Sequence, residues 1–114
     1  MSTENPQQIE TTLVTRESVI DILKSRGSND NEAITLLARF TDQIEWLLLR
    51  KGRKDARIES LRVKAYILRE ANCFNEAIDV MEGVAKIAYQ EGDDSSLHEA
   101  IEIIDILESL RTDK

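Results

Sequence analysis

Few residues in this chain combine the type and spacing that chemistry needs. His98 is the only histidine, so one chain cannot build a two-histidine metal site. The run His98-Glu99-x-x-Glu102 also departs from the His-Glu-x-x-His zinc arrangement. His98 and Glu102 stand one helical turn apart and could pair; a solvated first-turn histidine is the simpler expectation. Cys73, the only cysteine, excludes an internal disulfide and points to a reducing compartment. It falls in a predicted turn with no general base beside it, as a bland thiol would. Asp93 and Asp94 sit in a Gly-Asp-Asp-Ser-Ser turn that lacks the spacing of a calcium loop. No glycine-rich phosphate loop occurs. The expectation is a protein that is not an enzyme, with no catalytic residue, no cofactor and no metal.

The elements that would position these residues are read from punctuation. Gly27, Gly52 and Gly92 each follow an apolar-periodic segment, where a helix-ending residue of positive φ is expected, and Asn72 does the same job once. Thr15 before 16–26, and Ser28, Asn29 and Asp30 before 31–51, supply side-chain oxygens for free helix-start amides. Ser96 followed by Glu99 reads as a capping box. These signals predict five helices at about 16–26, 31–51, 54–71, 74–91 and 96–111. With almost no β-branched alternation to compete, the fold class is all-α: about five antiparallel helices, as a bundle or a short array of helix pairs.

The helix faces carry the functional reading. The second helix has Ala33, Leu36, Leu37, Phe40, Ile44, Leu47 and Leu48 along one core-facing stripe. Trp46 and Leu49 fall off it. The third is apolar on two sides, Ile58, Leu61, Ala65 and Leu68 against Val63 and Ile67, as a helix sandwiched between neighbours would be. The fifth is apolar over about 200° of its circumference, at about 100° per residue. Each exposed Ile or Leu forgoes about 1.5–3 kcal/mol of burial. Either the first helix folds back over the fifth, or Ile103, Ile106 and Leu110, with Trp46 and Leu49, meet another chain. Gly83 lies inside the fourth helix, where glycine costs about 1 kcal/mol against alanine. Close approach of a partner is one reading and a tolerated surface glycine the other.

The 114 residues suit one domain, expected over 15–114 behind a loose tail at 1–14. The start lacks the basic and apolar runs of a secretory signal, and no stretch reaches the ~18 uninterrupted apolar residues of a membrane helix. A cytoplasmic protein, with no membrane partner, is expected. The net charge of −7 weakens the case for a general phosphate-backbone binder. It is unevenly spread, however: residues 50–69 carry eight bases and two acids, whereas the flanking segments are net acidic. Arg50, Lys51, Arg53, Lys54 and Arg57 could grip phosphate, which motivates a rival reading as a small nucleic-acid-associated or regulatory factor. No aromatic residue interleaves them, and interhelical ion pairs are the alternative use.

Glu-Ala-Ile recurs at 32–34, 76–78 and 99–101 without a fixed period, as first-turn chemistry alone allows. The stretch from Leu61 to Tyr89 is more specific. Ala65 and Leu68 on one helix, then Phe74 and Ala77 opening the next, with Met81 and Val84 continuing its face, resemble a tetratricopeptide-repeat unit. Asn72 replaces the usual turn glycine and no proline follows the second helix. The resemblance covers about a quarter of the chain. It implies a helix-pair array that presents a groove to a partner peptide or helix. Glu45 to Gly52 is similar to part of the small tetratricopeptide chaperones of type III secretion needle subunits, which hold an amphipathic helix. The expected function is therefore an adaptor or chaperone-like module that binds another protein's helix or self-associates, a homodimer included.

Overall fold

The computed structural model describes residues 14–112, and these form five α-helices and no strand. They are α1 (Arg16–Arg26), α2 (Asn31–Arg50), α3 (Ala56–Glu70), α4 (Phe74–Glu91) and α5 (Asp94–Thr112). Local chemistry sets most of these limits. Thr15 and Asp30 accept hydrogen bonds from the amides of Ser18 and Ala33, which closes the starts of α1 and α2. Asn72 ends the α3 region at φ +65°, a conformation an asparagine tolerates better than most side chains. Gly92 closes α4 in the left-handed region.

Two starts differ from the expectation, and the first is that α3 begins at Ala56, two residues after 54. The Ser96–Glu99 capping box does not form, because α5 begins two residues earlier and Asp93 caps it. Asp93 accepts from the Ser96 amide at 3.1 Å and from the Ser96 hydroxyl at 2.7 Å. Ser96 is thus a donor inside the first turn, and Glu99 is released for an ion pair elsewhere. Val14 is also not loose tail: its backbone exchanges two 3.0 Å hydrogen bonds with the side chain of Gln43. The remainder of the expected tail, residues 1–13, lies outside the described residues.

Consecutive helices pack on one another, and α1 also rests on α3. The reading in which α1 folds back over α5 gives way to this, since α1 spends its buried Val19, Ile20 and Leu23 in the core it shares with α2 and α3. The principal extents of 52 × 37 × 17 Å make the array about two helices thick. Helix α3 is its keystone. Ile58 and Ala65 are buried on one flank, Ser60 and Ile67 on the other. From the side opposite Leu68, Glu70 pairs with Arg16 of α1 and Arg62 with Glu99 of α5. The core continues through Ala77, Met81, Val84 and Ala88 of α4 to Ala100 and Leu107 of α5. Ala65 and Ala77 are almost wholly enclosed, which lets their helices approach closely.

Candidate partner-binding surfaces

A channel runs over α3 between α2 and α4. Its floor is a helical stripe, Arg57, Leu61, Lys64 and Leu68, spaced so that all four share one side of α3. Over eleven residues that floor is about 16 Å long at 1.5 Å per residue. Two hollows of about 290 and 170 Å³ lie along it and share Ala38 and Lys64, so they adjoin. Ile34 and Leu37 of α2 face Val80 of α4 across the larger one, and Leu23 of α1 closes its end. Ile34 is half exposed, an apolar wall facing solvent. Carboxylates stand on both rims, Asp42 and Glu45 on α2, Glu76 and Asp79 on α4. Glu76 is fixed by the Ser28 hydroxyl, which donates to it at 2.7 Å. The channel is suited to an apolar stripe with positively charged margins.

Gly83 is one turn beyond Asp79 on the same side of α4. A methyl group built on it meets nothing within 4 Å, so no neighbour within the chain requires a glycine there. The space beside it is open to whatever enters from outside. Sequence reasoning singled out Gly83 but missed Ile34 and Val80. Each sits just off its helix's core stripe, and periodicity cannot tell a core edge from a groove wall.

The second surface is the end of α2. Trp46 and Leu49 are 54% and 58% exposed. Leu47, expected on the core stripe, is exposed as well: α1 has 11 residues against the 20 of α2, and Val14 at its start pairs with Gln43, so α1 does not reach the end of α2. The Arg50 guanidinium lies 4.8 Å from the centre of the Trp46 ring, a cation–π contact. The turn that follows is basic, with Lys51, Lys54 and Arg57 exposed. Arg53 is engaged locally, donating to both Asp55 oxygens at 2.9 and 2.8 Å. That hydrogen bonding holds the Asp55 carboxyl below, and the Arg53 guanidinium above, its ordinary range.

The third surface is α5. Ile101 and Ile106 are half exposed, Ile103 and Ile104 are half-buried against the core, and Leu110 is half-buried. Ile103 is therefore divided between the core and the surface, and Ile106 faces solvent more fully. Glu99, at the same side of the helix as Ile103 and Ile106, receives Arg62 at 2.7 Å, and Glu59 receives the same guanidinium at 2.6 Å. Burial opposes the Arg62 charge, yet Glu59, a hydrogen bond with Tyr66 and, to a smaller extent, Glu99 raise its pKa above the usual arginine value.

The residues considered for chemistry remain apart. His98 is exposed on α5. Cys73 is half-buried before α4, and burial, followed by the nearby Glu76 charge, pushes its thiol up, away from the reactive thiolate. Among the described residues no group of three His, Cys, Asp or Glu side chains is placed to hold a metal ion, and no helix is long and apolar enough to cross a membrane. Comparison with protein-family models, curated proteins and solved structures returned no match.

Proposed function

We propose that this protein is a non-enzymatic interaction module, adaptor or chaperone-like, that seats an amphipathic helix or peptide of another protein in the channel over α3. The observation that carries this reading is the channel itself, apolar along Leu37, Leu61, Leu68 and Val80, with Arg57 and Lys64 in its floor and carboxylates on both rims. Helix-in-groove recognition needs that combination, with apolar anchors at i, i+3, i+4 and i+7 and flanking charge for orientation. The acidic rims favour a partner helix with lysine or arginine beside its apolar stripe. A tetratricopeptide-like helix-pair array and a cytoplasmic location are part of the proposal. The full burial of Ala65 and Ala77 on two helices that pack together supports the first of these, and the lone Cys73 thiol the second.

The test compares the protein with Ile34→Glu and Gly83→Leu variants. Ile34 is a half-exposed wall and Gly83 adjoins open space, so both variants should keep the parent helical circular dichroism. Affinity capture from the native cell, with nuclease added, should return a helical protein with the parent and lose most of it with each variant. Equal recovery by all three would place the binding elsewhere. A partner lost on nuclease treatment alone would favour the rival reading, nucleic-acid contact through the exposed Lys51, Lys54 and Arg57.

A further inference from the structure

The end of α2 and the outer side of α5 are both apolar, both exposed, and opposite in charge. Trp46 and Leu49 stand beside a turn, residues 50–57, with five bases and one acid. Ile101 and Ile106 are interleaved with the exposed carboxylates Glu102, Asp105 and Glu108 on a helix whose only base is Arg111. We infer that each surface is the other's partner across two copies of this chain, in an antiparallel dimer with two-fold symmetry.

The two surfaces do not neutralise one another within a chain. Among the described residues, no ion pair holds Lys51, Lys54, Glu102, Asp105 or Glu108. In the packing order α3 and α4 stand between α2 and α5. The basic turn and the start of α5 do share one end of the molecule: hydrogen bonds from Ser96 hold the Asp93 carboxyl below its ordinary range, and the nearby Asp55 charge opposes them only in part. From that end α5 runs away. Glu102 and Glu108 come eight and fourteen residues after Asp94, about 12 and 21 Å along the axis at 1.5 Å per residue. A second copy running the opposite way brings its basic turn to that distant stretch. By symmetry the first copy's turn then meets the second copy's α5.

Such an interface is isologous, so it forms the contact twice and closes at two subunits. Apolar anchors give it cohesion, and the complementary charges give it register. Arg57, at one end of the channel floor, is the one channel residue in the basic turn, and none of Lys51, Lys54, Glu102 and Glu108 lines the channel, so a charge exchange at those four positions tests the dimer apart from the helix-binding reading.

The test is a charge exchange. One variant carries Lys51→Glu and Lys54→Glu, the other Glu102→Lys and Glu108→Lys; all four positions are exposed. Light scattering after size exclusion at low ionic strength should give twice the 13.0 kDa chain mass for the parent and the single-chain mass for each variant alone. An equimolar mixture of the variants should return to twice that mass, because both contacts regain opposite charge. Trp46, the only tryptophan, reports the same contact, and its emission should shift to the blue as the parent associates. Raising salt from about 0.05 to 0.5 M should weaken the parent dimer by about tenfold or more, as screening shortens the reach of the charges. A parent that stays monomeric overturns the inference. So do variants that still dimerise alone, a mixture that stays monomeric, or a mass that climbs past two copies.

Discussion

Helix α3 and the last two turns of α2 have similar side chains and opposite fates. Both mix leucine or isoleucine with arginine, yet six residues of α3 are buried and none of α2 beyond Thr41 is. The difference is in neighbours. Helix α3 rests against α1, α2 and α4, so even Ser60 is enclosed, its hydroxyl donating to the Arg57 carbonyl at 2.9 Å. The end of α2 lies past the reach of α1, with α3 beside it, and three leucine or tryptophan side chains there are left outside. Hydrophobicity supplies the drive to be buried, but only a second surface provides the burial.

The sharpest way to break this contrast is at Ile67, which is wholly enclosed on α3. Ile67→Ala should cost about 2–5 kcal/mol, through lost transfer energy and the cavity left behind, read as a lower urea midpoint at unchanged slope. A cost under about 1 kcal/mol would mean that α3 is not the centre of the core. Next comes the start of α2. Asp30→Ala removes the 3.0 Å bond to the Ala33 amide and should cost about 1 kcal/mol. Native-state hydrogen exchange should then show α2 opening ahead of α3; simultaneous opening of both would erase the distinction.

A gain of stability is expected at Gly83. The added methyl of Gly83→Ala meets nothing within 4 Å, so the helix-propensity term acts alone and thermal unfolding should rise by the equivalent of about 0.5–1 kcal/mol. The smallest effect belongs to the end of α2. Trp46→Ala and Leu49→Ala should change monomer stability by no more than about 0.5 kcal/mol, measured at concentrations too low for association. A larger loss would show that these side chains pack within the chain and are not held in reserve for a partner.

Much of this architecture was legible in the residue order. Thr15 caps α1 as expected, Asp30 is the one of Ser28, Asn29 and Asp30 that caps α2, and Gly27, Gly52, Asn72 and Gly92 all take positive φ. These are contacts over three or four residues, where side-chain chemistry decides without help. The α5 start was misjudged because Asp93 and Ser96 both offer a capping oxygen. Asp93 prevails, and the Ser96 hydroxyl donates to it. The two-sided burial of α3 was visible as two apolar stripes. The exposure of Leu47 was not, since its spacing matches Leu37 and Phe40 and only the shorter reach of α1 separates them.

The candidate surfaces divide in the same way. Residue spacing by itself marked Trp46 and Leu49 as lying off the core stripe of α2, marked α5 as too apolar for one neighbour, and located the positive charge at 50–57. It also made an all-α chain unavoidable, because helix periods and caps are written at short range. Tertiary structure alone decided that Ile34 and Val80 face each other across a channel, and that α1 joins α3 and leaves α5 uncovered. It also decided that Glu99 answers Arg62, 37 positions away. Those facts depend on which helices become neighbours. That choice is made by the summed packing of many weak contacts, and no short window of sequence contains it.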